Sequence, residues 1–128
     1  MNYEDMSDFE INKLVVELKC KGQLIKILPQ KDAFDPMETG VMSSDVHIIT
    51  SPGREQSINP CNNPSDAWPI IVENAIGICK YNLDEDDESF GMWFALCDEI
   101  EDIYEYPQDK NPLRAAMICF LKMKDAEL

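Results

Sequence analysis

The chain has 128 residues, 45% of them hydrophobic, which suits one domain with a packed core and excludes a disordered polymer. Its 25 acidic residues outnumber 11 basic ones, for a formal net charge of −14. A field of that sign repels phosphates, so direct binding of nucleic acid is not expected, and no apolar run reaches the ~18 residues a membrane span requires.

Ser7-Asp8-Phe9-Glu10 reads as a capping box, with Met6 and Ile11 at the two staple positions around it. Ile11, Leu14, Val15 and Leu18 recur at helical spacing, which predicts a first helix over 8–19. Leu24 to Leu28, stopped by Pro29, predicts a short strand, and residues 30–44 a surface loop. The β-branched run Val46 to Thr50 predicts a second strand, ended by the turn Ser51-Pro52-Gly53. From there to Asn63 the expectation is loop.

With Ser65 as N-cap, Pro69 falls at the fourth helical position, where a missing N–H removes no internal bond; this predicts a helix over 66–74, finished by Asn74. Residues 76–81 and 91–97 read as the strands of a hairpin with an acidic tip over 82–90. The second strand is apolar on both faces, so it is either covered on both sides or offers one to a partner. Asn111 and Pro112 open a last helix over 112–124, with Leu113, Ala116, Met117, Phe120 and Leu121 along its apolar stripe. The order predicts a single α+β domain over 1–128: a mainly antiparallel sheet of about four strands with three helices packed on it.

The opening Ser7-Asp8-Phe9-Glu10-Ile11-Asn12, the block Asp66-Ala67-Trp68-Pro69-Ile70-Ile71 with Asn74, Ile76 and Ile78, then Trp93-Phe94-Ala95, and finally Asn111 to Ile118 with Phe120-Leu121 together resemble the NinX family of lambdoid phages and prophages. The resemblance implies a small accessory protein acting in the cytoplasm of an infected bacterium. It implies no activity and supplies no catalytic residues.

Little in the chain reads as chemistry. No Walker loop, nucleophile elbow or paired-histidine metal motif occurs, and the single histidine, His47, lies in a predicted strand. No catalytic, cofactor-binding or metal-binding residue is assigned. Set as an EF-hand from Asp84, the acidic tip has Ser89 where glycine is needed and Ala95 where a bidentate glutamate is needed, which excludes that loop. Cys20, Cys61, Cys79, Cys97 and Cys119 are widely spaced and odd in number, which predicts reduced thiols. Met1 to Asp5 has neither the basic nor the apolar stretch of a signal peptide, so a cytoplasmic protein is expected. Trp68 and Trp93 stand among apolar neighbours, which predicts core packing rather than stacking platforms. Arg114, beside the last cap, is expected to pair with an acid of the 98–105 segment.

The acidity is regional. Between Tyr81 and Asp109 there are eleven acids and no Lys or Arg; the remaining 99 residues carry 14 acids and 11 bases. The function expected is an interaction protein whose acidic surface engages a basic host or phage protein. Asp84, Glu85, Asp86, Asp87, Glu88, Asp98, Glu99, Glu101, Asp102 and Glu105 are the candidate surface. In its sharper form the carboxylates imitate DNA phosphates. The alternative is a small-ligand or enzymatic domain whose pocket no motif reveals, and the oligomeric state is left open.

Overall fold

The computed structural model describes residues 2–31, 43–51, 53–81, 85–86, 91–100 and 106–126. Its first helix, α1 (Asp8–Lys19), starts where the capping box predicts: Ser7 Oγ accepts from the Glu10 amide at 3.1 Å, and Glu10 Oε2 accepts from the Ser7 amide at 3.4 Å. A single 3-10 turn, Tyr3–Asp5, precedes it, and the buried Tyr3 hydroxyl donates to the Asp125 carboxylate. Burial first, then that hydrogen bond, pushes the Tyr3 phenol up to about 12. α1 has two apolar faces rather than the one stripe expected. Ile11 and Val15, with Leu14, face one core; Val16, with Phe9 and Cys20, faces a second.

The second core is closed by a three-stranded antiparallel sheet of order β1-β2-β3, formed by β1 (Leu24–Ile27), β2 (Val46–Thr50) and β3 (Arg54–Ile58). The central strand, β2, alternates as a half-covered strand must: Val46, Ile48 and Thr50 are buried, while His47 and Ile49 are only half-buried. β3 occupies a stretch expected to be loop. Its residues Arg54-Glu55-Gln56-Ser57 are all exposed and have weak strand preference. What makes them a strand is the hairpin, in which each residue from Arg54 to Ile58 pairs with one of β2. Gly53, at φ 98°, takes the turn position that side chains avoid. The loop expected over 30–44 falls mainly outside the described residues.

The helix α2 (Pro64–Glu73) begins two residues earlier than predicted. Asn63, not Ser65, is the N-cap; its Oδ1 accepts from the Ser65 amide at 3.0 Å and Pro64 takes the first position. Pro69 therefore lies within the helix, past the free first turn, and leaves the Ser65 carbonyl without its helical donor. Ser65 is exposed, so water can serve that carbonyl. The exit is a Schellman motif: the Ala75 amide reaches Val72 O at 3.3 Å and the Ile76 amide reaches Ile71 O at 3.0 Å. Asn74 adds its side chain to Ile70 O at 2.8 Å. Ala75 takes the left-handed position at φ 51°, where glycine is usual.

The predicted hairpin forms from β4 (Gly77–Lys80) and β5 (Trp93–Leu96), paired antiparallel from Gly77 opposite Leu96 to Lys80 opposite Trp93. A third strand, β6 (Gln108–Asp109), was not expected; two residues carry no periodic signal, and only their pairing with Phe94 and Trp93 defines them. Phe94 on β5 meets the Tyr81 ring edge-on at 5.8 Å. Behind β5 lies α3 (Pro112–Ala126), opened by Asn111, whose Oδ1 accepts from the Leu113 amide at 3.0 Å. Every residue from Arg114 to Leu121 is buried, so α3 is the central helix rather than a one-striped surface helix. It packs on β5 on one side and on α1 and α2 on the other.

The α+β class holds, with three α-helices among the described residues. The single sheet of about four strands is corrected to two sheets of three. The layers run from the first sheet through α1 to α3 and α2, then to the second sheet. Among the described residues no helix is long and apolar enough to cross a membrane.

Ala75→Gly should stabilise the fold by about 1 kcal/mol, because glycine relieves a left-handed alanine at an exposed helix end. Urea unfolding of both proteins measures this; an unchanged or lower midpoint would mean the turn is not strained.

Candidate functional site

Between the two apolar faces of α1 stands a polar residue, Asn12, with no solvent exposure. Its side-chain nitrogen donates to Ser44 O at 2.9 Å and Asn59 Oδ1 at 2.7 Å, and its oxygen accepts from the Cys61 amide at 2.9 Å. Both donors and the acceptor are thus engaged, as burial of an amide requires. Asn59 extends the network: its Nδ2 donates to Ser44 Oγ and Asp45 Oδ1, both at 2.8 Å, and its backbone amide donates to Asp66 Oδ2 at 2.9 Å. Asn62 reaches Asp8 Oδ2 at 3.1 Å, and Asn111 reaches Cys61 O at 2.7 Å and Asn62 Oδ1 at 3.2 Å. Four asparagines therefore join α1, the 59–63 turn and the start of α3.

The same network ends on Arg114, whose side chain is only 10% exposed. Its Nη1 donates to Asp8 Oδ1 at 2.6 Å, its Nε to Asp109 Oδ2 at 3.0 Å, and its Nη2 to the carbonyls of Met6 and Glu4 at 2.7 and 3.2 Å. Its acidic partners among the described residues are thus Asp8 and Asp109, on either side of the 98–105 segment in which its partner is expected. Asp98 and Glu99 are exposed, and Glu101, Asp102 and Glu105 lie outside the described residues. The guanidinium is consumed by structure rather than held ready for an anionic ligand.

Outside this junction, at the N-terminal end of α2, opens a polar cleft of about 510 Å³, lined by Asp45, Ser57, Asn59, Asn62, Asn63, Pro64 and Asp66. Asp45 and Asp66 each give one carboxylate oxygen to Asn59, and neither forms an ion pair with a described residue. A smaller, mainly apolar hollow of about 350 Å³ lies along the other side of α1, between Tyr3, Leu14, Leu18 and Leu121. Among the described residues, no group of three or more His, Cys, Asp or Glu could hold a metal ion.

Of the acidic residues singled out in the sequence, Glu85 and Asp86 are exposed in a turn at the hairpin tip, and Asp98 and Glu99 in the turn after β5. Asp84, Asp87, Glu88, Glu101, Asp102 and Glu105 lie outside the described residues. Trp93 is half-buried, with Lys80 Nζ 5.9 Å from its ring. Trp68 is not core: it is 63% exposed. Ala67, Ile70 and Ile71 take the inner face of α2, and Trp68 and Val72 are left outside. The run Ala67 to Val72 is apolar all round, so periodicity could not choose its buried side. Asn12, by contrast, carries a signal in the sequence: a polar residue between apolar helical positions must find partners inside.

The cysteines are all free, with Cys79 exposed and Cys61, Cys97 and Cys119 buried. Burial, then the Asp8 carboxylate, pushes the Cys61 thiol up to about 12. Burial and the neighbouring Cys97 raise that of Cys119.

A family model described as "Bacteriophage P22, NinX" matches residues 2–124. No curated protein and no solved structure matches the chain.

Two outcomes check the junction. Asn12→Ala and Arg114→Met should each lower unfolding free energy by about 3 kcal/mol, since each leaves buried partners without a hydrogen bond or counter-charge. A loss below ~1 kcal/mol by equilibrium denaturation would show that water replaces these contacts. In the folded protein iodoacetamide should modify Cys79 first, with Cys61, Cys97 and Cys119 protected until unfolding; mass mapping that finds Cys61 labelled early would contradict the burial.

Proposed function

The chain belongs to the bacteriophage P22 NinX family, and on that premise we propose that it is a phage accessory protein that works by binding rather than catalysis. Its partner is a basic protein of host or phage, met in the cytoplasm of the infected cell. The acid-rich surface over residues 81–109 makes the first contact. The observation that carries this reading is charge segregation: eleven acids and no Lys or Arg in that segment, within a chain otherwise near balance. Glu85, Asp86, Asp98 and Glu99 are exposed, while Asp109, at the end of that segment, is paired with Arg114. Exposed carboxylates steer a basic partner from a distance and raise its rate of encounter.

Of the two hollows among the described residues, the larger suits a protein segment better than a small ligand. It is open and polar, whereas small-molecule sites are mostly apolar and enclose their ligand. DNA mimicry is the sharper form, and it makes a separate demand: duplex DNA must compete with this protein for the same partner.

Replacement of Asp84 to Glu88 by Ser and Gln should leave folding intact, because solvated charges such as those of Glu85 and Asp86 contribute little to stability. The variant should capture the partner more slowly in a pull-down from infected cells. Association of the unaltered protein should slow roughly ten-fold or more from low salt to physiological ionic strength. Unchanged capture rates would reduce the acidic segment to a solubilising tip.

A further inference from the structure

On α2, Trp68 is 63% exposed and Val72 58%, although both are large and apolar. They are four residues apart, and Pro64 lies four residues before Trp68, so the three share one line along the helix. Pro64 also forms part of the wall of the polar cleft. An apolar ridge about 12 Å long therefore runs directly out of an acid-lined hollow.

The chemistry of that hollow is one-sided. The side-chain nitrogens of Asn59 and Asn62 are already committed to Ser44, Asp45 and Asp8. Asp45 and Asp66 each keep one oxygen with no hydrogen bond to a described residue. Among the described residues the cleft thus holds surplus acceptors, fixed in place by Asn59, and no cation. A guanidinium answers this directly, with five N–H donors, no acceptor and a flat face that stacks on aromatic rings.

We propose that the cleft and the Trp68–Val72 ridge form one docking surface for an extended segment of a basic partner, which places an arginine between Asp45 and Asp66 and apolar side chains along Pro64, Trp68 and Val72. The inference rests on the reading above that the partner is basic, and adds a second contact region distinct from residues 81–109. Charge complementarity selects this occupant: a second copy of a chain at −14 would bring its own carboxylates to the same face. An exposed tryptophan beside fixed carboxylates has the makeup of an interface anchor within a polar rim. An extended segment of about four residues spans the ridge, so arginine and apolar residues must alternate with positions that face away.

The experiment uses blocked peptides Arg-Ser-Leu-Ser-Leu and its reverse, titrated at low salt into the full chain labelled with ¹⁵N. Amides of residues 59–72 and Asp45 should shift together. Trp68→Ser, and separately Asp45→Asn with Asp66→Asn, should each weaken binding at least about five-fold. The asparagines keep an oxygen for Asn59, so the cleft stays built. Lysine in place of arginine should bind more weakly, and serine in place of both leucines should remove the effect of Trp68→Ser. Shifts confined to Glu85, Asp86, Asp98 and Glu99, with both variants binding as before, would overturn this surface while leaving the acidic-partner reading standing. Absence of any shift with either peptide overturns the surface too. Unaltered partner capture by the Asp84 to Glu88 variant is the separate result that removes the reading beneath it.

Discussion

The Asn12 carboxamide has to satisfy three hydrogen-bonding groups in a place that water does not reach. It does so by holding the Ser44 carbonyl, the Asn59 side chain and the Cys61 amide at once. Those contacts fix the 59–63 turn against α1, and the turn sets where α2 starts and where Asn111 opens α3. Because α1 carries an apolar face on each side of Asn12, the same residue marks the seam between two cores. A shift of α1 by one residue would misplace both faces and leave this amide unpaired, so the network specifies register as well as contributing stability.

Arg114 does for charge what Asn12 does for dipoles. It neutralises Asp8 and Asp109, which come from opposite ends of the chain, and binds two carbonyls of the N-terminal turn. With Lys122 held by Glu4 on the same side, basic residues are drawn into structure near the termini. On Glu4, burial opposes the charged form, but hydrogen bonds from Lys122 and from its own backbone and the charges of Lys122 and Arg114 outweigh it, holding the carboxyl below its ordinary range. The segment from Tyr81 to Asp109 has no bases to be used in this way, and of its described acids Glu85, Asp86, Asp98 and Glu99 are exposed.

A rigid junction beside an open cleft is also how exposed groups become useful for recognition. Asn59 links the interior to the cleft: one end of its side chain meets Asn12 and the other holds Asp45, while its amide holds Asp66. Carboxylates positioned by such bonds lose little freedom when a partner arrives. The exposed Trp68 and Val72 stand on a helix tied at both ends, by the Asn63 cap and the Schellman exit.

Several termini of the main elements, though not the start of α2, are legible from residues alone, because the causes are local. Ser7 with Glu10, Asn111 with Pro112, and Asn74 act within one helical turn, and Val46 to Thr50 alternates over a strand's own length. The concentration of charge over 81–109 was legible for the same reason, since it is a property of the chain. What only the tertiary structure decided depends on neighbours far away in sequence. β3 and β6 are strands because β2 and β5 pair with them, not because of their composition. α3 is buried all round because a sheet lies on one side and two helices on the other. Trp68 is outside because Ala67, Ile70 and Ile71 meet the core first, a choice that an all-apolar run leaves open. The cleft exists because Asn59 draws together Asp45 and Asp66 from either side of the β2–β3 hairpin, and a hydrogen bond across 14 residues leaves no periodic trace in the sequence.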